Sequence, residues 1–144
     1  MTKYYLPDNI PKNAHIDNYN IIINKKVKLK AKDTIIIKND YKLTILSDIQ
    51  FTIKKIINYG IIDNAGDICV KTLKNYGLIN NVDLLIVDKG KLYNKGIIEN
   101  YYLLYLLRAY NIINKGTINN YEYTSGNIFI DNDRFIGNKI VNYK

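Results

Sequence analysis

Asn58-Tyr59-Gly60-Ile61-Ile62-Asp63-Asn64 decides how this sequence is read, because its frame returns three times further along the chain. Asn75-Tyr76-Gly77-Leu78-Ile79-Asn80-Asn81, Asn94-Lys95-Gly96-Ile97-Ile98-Glu99-Asn100 and Asn114-Lys115-Gly116-Thr117-Ile118-Asn119-Asn120 keep the pattern Asn-x-Gly-x-Ile-x-Asn, with starts 17, 19 and 20 residues apart. A motif at nearly fixed spacing marks stacked structural units, and a period near twenty suits a solenoid with one coil per repeat. Inside the motif, side-chain character alternates with period two, as on a strand and unlike a helix. Ile62, Ile79, Ile98 and Ile118 form one column, expected to point inward, and Asp63, Asn80, Glu99 and Asn119 form the next, expected to point outward. The same parity sends Asn58, Asn75, Asn94 and Asn114 inward as one ladder and Asn64, Asn81, Asn100 and Asn120 inward as a second. Amide side chains stacked at the strand spacing of about 4.8 Å can hydrogen-bond from coil to coil, which offsets the cost of burying them. The glycine column reads as a corner, through either a positive φ or a close approach of backbone to backbone. A β-meander with Asn-Gly turns is the rival, but hairpin loops would give shorter and more variable spacing.

On the N-terminal side the motif fades while strand-like alternation continues. Val27, Leu29 and Ala31 form one alternating set, Ile35 and Ile37 a second, Leu43 and Ile45 a third, and Ile49, Phe51 and Ile53 a fourth. Turns are expected at Lys32-Asp33, Asn39-Asp40 and Ser47-Asp48. Residues 1–20, with Pro7 and Pro11, do not repeat and are expected to cap the first coil, leaving 21–144 as the solenoid within a single domain. Towards the C-terminus, Asn127–Asp131 and Lys139–Asn142 still read as strands. The expected fold is therefore all-β, a short single-stranded right-handed parallel β-helix of about six coils, the hand following the default for parallel crossovers.

Tyr101–Tyr110 is apolar on both faces and reads as either a short helix or a strand. As a strand, its outward residues Tyr101, Leu103, Tyr105 and Leu107 would lie beside the outward Leu84 and Ile86 of the preceding coil. Ile61, Leu78 and Ile97 add another outward apolar column. Together these nine residues are the candidate interface, since exposed apolar patches usually meet another surface. A terminal segment folded over them is the alternative.

Composition bounds the partners. Ile, Asn, Lys and Tyr fill 81 of 144 positions, a bias towards amino acids with A/T-rich codons. The net charge is +8, carried by Lys with Arg108 and Arg134 the only arginines, and it reads as lysine spread along the chain. Nucleic-acid interfaces favour Arg and concentrate charge on one face, so a nucleic-acid partner is not expected. The densest run, Lys25 to Lys32, alternates with Val27, Leu29 and Ala31 and reads as the solvated side of a strand, with binding of an acidic polymer as its rival. No apolar run reaches membrane-spanning length and Met1–Pro11 lacks a secretory apolar core, so a soluble protein without a membrane span is expected. Cys69 is the only cysteine, which excludes an intramolecular disulfide and fits a reducing compartment.

Parallel β-helices can host glycan-cleaving sites, which need carboxylates clustered on one wall. Asp63 and Glu99 could share a column, but Asn80 separates them and no second acidic column accompanies it. Asp67, Asp83, Asp88, Asp131 and Asp133 read as solvent-facing acids, and Asp131-Asn132-Asp133 lacks the remaining ligands of a calcium loop. His15 stands alone and Cys69 has no basic partner. No catalytic, cofactor-binding or metal site is expected.

The run Asp33–Ile53 followed by the four Asn-x-Gly-x-Ile-x-Asn units resembles a class of β-helical tandem-repeat proteins with Asn-Gly-Ile repeats, found in bacterial surface proteins and in mimivirus-like giant viruses of amoebae. The resemblance covers residues 33–120, and Asp83 and Tyr102 depart from it where Gly66 stands in the first unit. It implies the repeat architecture and a viral setting, in a virion or host cytoplasm, and says little of function; the outward apolar columns instead lead to the expectation of a non-enzymatic structural or interaction protein whose partner is itself or another protein. A glycan-binding or glycan-cleaving β-helix is the alternative that the Tyr-rich walls suggest.

Overall fold

The computed structural model describes residues 3–10, 14–23, 33–106, 111–121, 127–130, 135–137 and 140–143. It is a parallel β-solenoid of roughly five to six coils, with no helix among the described residues. The sets Val27/Leu29/Ala31 and Lys25 to Lys32 lie outside those residues, as do Leu107–Tyr110.

Three walls enclose the core. The first is one sheet built from β3 (Asn20–Ile23), β5 (Lys42–Ile45), β7 (Ile61–Asn64), β9 (Leu78–Asn81), β11 (Ile97–Asn100), β14 (Thr117–Tyr121) and β17 (Val141–Tyr143), all parallel, with β2 (Ala14–Asp17) antiparallel along its N-terminal edge. The second and third walls share one sheet, because β6 (Gln50–Asn58), β8 (Asp67–Asn75) and β10 (Leu84–Asn94) each run across both. The second wall continues through β12 (Leu103–Leu106) and β15 (Asn127–Ile130). The third begins with β1 (Lys3–Leu6) and β4 (Thr34–Ile37) and continues through β13 (Asn111–Asn114) and β16 (Phe135–Gly137). The division is visible in β10, which pairs with β12 through Leu84–Ile86 and with β13 through Lys91–Asn94.

The inward parity follows the walls. Phe51, Ile53, Ile56 and Asn58 are all buried, and the step of three residues across Lys54 marks the corner between the second and third walls. Ile68, Val70, Leu73 and Asn75 repeat the step across Lys71. One residue turns the corner in these two coils, residues 88–90 turn it in β10, and four residues separate Leu106 from Asn111. The 17, 19 and 20 residue spacings of the motif are thereby accounted for at a single corner. The other corners of these coils hold two residues each, Tyr76-Gly77 and Val82-Asp83 being one example of each kind.

Both expected ladders form. Ile62, Ile79, Ile98 and Ile118 are at most 1 % exposed, and the eight asparagines at most 3 %. Asn58 donates through Nδ2 to Oδ1 of Asn75, Asn75 to Asn94, and Asn94 to Asn114, each at 2.8 Å. Asn64, Asn81, Asn100 and Asn120 are linked in the same sense at 2.8 Å, and Asn120 passes the series on to Asn142 at 3.1 Å. The same Nδ2 groups also donate to main-chain carbonyls, as from Asn75 to Ile97 O at 3.0 Å and from Asn81 to Leu103 O at 2.9 Å. Of the two explanations for the glycine column, close approach is the one realised: a Cβ on Gly77 would stand 2.0 Å from Gly60 O, and one on Gly96 2.0 Å from Gly77 O. No side chain fits there, whatever its chemistry. Tyr101–Tyr110 is resolved in favour of strand over Leu103–Leu106.

The donors all point towards the C-terminal end, so the first rung is exceptional. Ile37 lies in register below Asn58 and has no proton to give, and Oδ1 of Asn58 is left without a partner. Asn58→Ala removes an amide that was already half satisfied, whereas Asn75→Ala removes one bonded on both sides. We expect Asn75→Ala to cost roughly 3 kcal/mol and Asn58→Ala distinctly less, read by urea denaturation; equal losses would contradict a one-way ladder.

Candidate functional site

With the interior filled by apolar and amide side chains, what the protein offers a partner is its three outer walls. On the first wall, one outward column runs Lys42, Ile61, Leu78, Ile97, Thr117 in strict register. Ile61 and Ile97 are exposed and Leu78 is half-buried. Beside it runs the column Thr44, Asp63, Asn80, Glu99, Asn119. Its acids are engaged by their neighbours: Asn80 Nδ2 donates to Asp63 at 2.7 Å, Lys42 pairs with Asp63 at 3.1 Å, and Asn119 and Tyr121 donate to Glu99 at 3.1 and 2.8 Å. The bond to Glu99, helped by desolvation, raises the Tyr121 hydroxyl above its ordinary range. These carboxylates tie neighbouring coils together.

The second wall brings together the other part of the predicted interface. Leu84 pairs with Leu103 and Ile86 with Tyr105, so the expected juxtaposition of Tyr101–Tyr110 with Leu84 and Ile86 is present over the described residues. Leu84, Ile86, Leu103 and Tyr101 are half-buried. Leu107 lies outside the described residues. Those of the nine whose side chains the structure describes fall on two walls, however. Ile61, Leu78 and Ile97 sit on the first wall, Leu84, Ile86 and Leu103 on the second, and the polar Asp63–Asn119 column separates them. Cys69 also faces out from the second wall, where burial, with Asp88 second, pushes its thiol upward and keeps it protonated.

Two features escaped the sequence reading. Asn-Tyr recurs at 58–59, 75–76, 100–101, 120–121 and 142–143, and the tyrosines stack where their asparagines do. Tyr59 and Tyr76 rings lie 4.9 Å apart and nearly parallel, as do Tyr101 and Tyr121 at 4.6 Å and Tyr121 and Tyr143 at 5.0 Å. The recurring dipeptide was the available signal. The second feature is charge. Lys54 and Lys55, Lys71 and Lys74, and Lys89 and Lys91 come from three successive coils and gather on and beside the third wall. Desolvation first, then the neighbouring Lys74, Lys3 and Lys54, hold the Lys55 ammonium below its usual value. A shallow groove of about 400 Å³ lies on this wall between Lys74, Tyr76, Lys91, Tyr93 and Asn111. Acids collect instead at the corner between the first and second walls, where desolvation and then Asp67 and Asp48 raise Asp83.

Among the described residues no group of three or more His, Cys, Asp or Glu could hold a metal ion, and no helix is long and apolar enough to cross a membrane. Compared with known proteins, the chain matches no family model, no curated protein and no solved structure.

Asp83 makes the acidic corner testable. Its folded carboxyl titrates above the unfolded value of 3.8, so the folded state favours the protonated form and stability declines as pH rises through the folded pKa. Asp83→Asn is expected to raise the denaturation midpoint at pH 7 relative to the parent and to lose that advantage at pH 3. A neutral or destabilising effect at pH 7 would refute the crowding of these acids.

Proposed function

We propose that this chain is a non-enzymatic structural or interaction module, a rigid rod that associates laterally with a second copy of itself. The observation that carries this reading is the in-register column Ile61, Leu78, Ile97, which leaves three aliphatic side chains on the outside of a wall whose neighbouring column is wholly polar. Bringing two such columns together removes apolar area from water without rearranging either partner, since each side chain is already fixed by its strand. Engagement of Asp63 and Glu99 by Asn, Lys and Tyr supports a non-catalytic role. The Asn-Gly-Ile units and the Ile, Asn, Lys and Tyr bias support a place among the repeat proteins of amoebal giant viruses, as a component of the virion or of the infected cell.

Sedimentation equilibrium over a wide concentration range tests this. The parent chain is expected to self-associate, and the double variant Ile61→Lys/Ile97→Lys to sediment as a monomer with an unchanged β-rich circular dichroism spectrum. Leu84→Lys, on the other apolar wall, should leave association intact. A parent chain that stays monomeric at millimolar concentration would remove the reading.

A further inference from the structure

We propose that the third wall binds an acidic polysaccharide lying along the solenoid axis, with lysines contacting its anionic groups and the groove holding its sugar hydroxyls. The wall is separate from the apolar column, so this binding and the self-association can each fail without the other.

Three observations carry it. The first is that the coil repeat places two lysines per level on three successive levels, at a rise of about 4.8 Å per level. Lys55 and Lys91 stand in one column with Thr72 between them, and Lys74 occupies the adjacent column at the middle level. Among the described residues, no outward strand position of this wall, from Lys3 through Ile113, carries an acid, and the adjoining corner sets the single acid Asp88 beside Lys54, Lys71 and Lys89. Like charges held this closely on a rigid sheet repel one another, and a linear polyanion relieves that repulsion in a way that a single small anion cannot.

The second observation is the groove. Its lining of Thr72, Tyr76, Tyr93 and Asn111 between Lys74 and Lys91, with the apolar Leu92 and Ile113, sets hydroxyl and amide groups beside apolar surface, which suits a sugar chain with its polar edges and apolar ring faces. One sugar of an extended hexose polymer advances by about the height of one coil, so a polymer with one carboxylate per sugar meets the lysines level by level. The third observation concerns the tyrosines. Tyr59 and Tyr76 spend a ring face on each other, and Lys95 lies 6.0 Å from the centroid of Tyr93. Single-stranded nucleic acid is held by bases stacked on free aromatic faces, and base reading favours Arg; among the described residues this wall carries no Arg, and the groove's Tyr76 already stacks on Tyr59. The acidic corner at Asp48, Asp67 and Asp83 lies across the coil from the third wall, so the molecule's field directs a polyanion to one side.

The experiment uses the full chain and fluorescently labelled polygalacturonate oligomers at low salt, with neutral dextran of equal length and an oligodeoxythymidylate as comparison ligands. Polygalacturonate is expected to bind, dextran not to bind, and the oligodeoxythymidylate to bind more weakly than polygalacturonate. Affinity for polygalacturonate should fall steeply as salt rises, because displaced counterions drive it. Lys55→Gln/Lys74→Gln should weaken binding by roughly tenfold or more, while Lys42→Gln/Thr117→Glu, which lowers the net charge by the same amount on the first wall, should change it by less than about twofold. All four substitutions lie at outward or corner positions, and circular dichroism checks that each double variant is folded. Equal loss in the two double variants would show net charge alone at work and overturn the proposal. So would tighter binding of the oligodeoxythymidylate, or no binding of polygalacturonate to the parent chain. Repeating the titration with Ile61→Lys/Ile97→Lys separates the two surfaces: retained binding by a monomer supports the third wall as an independent site, and its loss overturns that independence.

Discussion

Everything in this fold hangs on the asparagine amide as a two-way connector. In Asn58, Asn64, Asn75, Asn81 and Asn94, Nδ2 donates both to Oδ1 of the next rung and to a main-chain carbonyl in the next coil, as Asn58 does with Asn75 and Leu78. Isoleucine columns supply the burial, at about 1.5–3 kcal/mol for each side chain removed from water, but they tolerate sliding. A buried amide does not, because a rung displaced from its partner loses a bond on each side with no water to replace it. The ladders therefore specify which residue stacks on which, and the isoleucines make that stacking stable. Both ladders stop where they meet a residue that cannot take part, at Ile37 and Ile45 on the N-terminal side and at Gly137 beyond Asn114.

Placing a ladder at each of two corners explains why the third corner is free to vary. Asn75 precedes Tyr76-Gly77 and Asn81 precedes Val82-Asp83, so a changed loop length at either would pull the amides out of line. The corner between the second and third walls has no ladder, and it accepts one residue in β6 and β8 and three in β10, where Lys89 takes a positive φ of 50°. That corner is also where the lysines gather. Variation and charge thus share the part of the coil least constrained by the interior, which is where a binding surface can be altered without disturbing the stack.

Legibility in the sequence followed the same division. The two ladder corners could be read because Asn-x-Gly-x-Ile-x-Asn announces them with residue types that have few other uses at that spacing. The third corner could not, since a bend made by one lysine carries no Gly, Pro or Asn, and Gln50–Asn58 passes for one strand whose alternation slips once. Missing that corner hid the charge pattern. Lys54/Lys55, Lys71/Lys74 and Lys89/Lys91 look like lysine scattered through a basic chain until the coil is closed in the right place, and only then do they fall on one side. The two apolar sets were merged for another reason: Asp83 stands where the first unit has Gly66, so the corner between Leu78 and Leu84 is only weakly marked. Asn142 was overlooked for a different reason: its ladder partner Asn120 lies 22 residues away, and Asn138 stands four residues before it where the motif has glycine, leaving the Asn-Tyr dipeptide as the one clue.

A protein of this construction has few means of acting by moving. Its coils are bonded to one another through the backbone on every wall and through side chains at two corners, so a distortion in one coil is resisted by the coils on either side. Catalytic closure or a switch would have to break rungs that are buried and mutually dependent. What the fold does well is hold identical groups at a constant pitch, and contacts that are individually weak gain from being repeated along a rod that keeps their spacing. A single exposed lysine or isoleucine binds little, whereas a file of them, presented without loss of conformational entropy to an equally regular partner, binds as a unit. A function based on recognising something that is itself repetitive, whether a second rod or a linear polymer, is therefore the one that the amide ladders make physically economical.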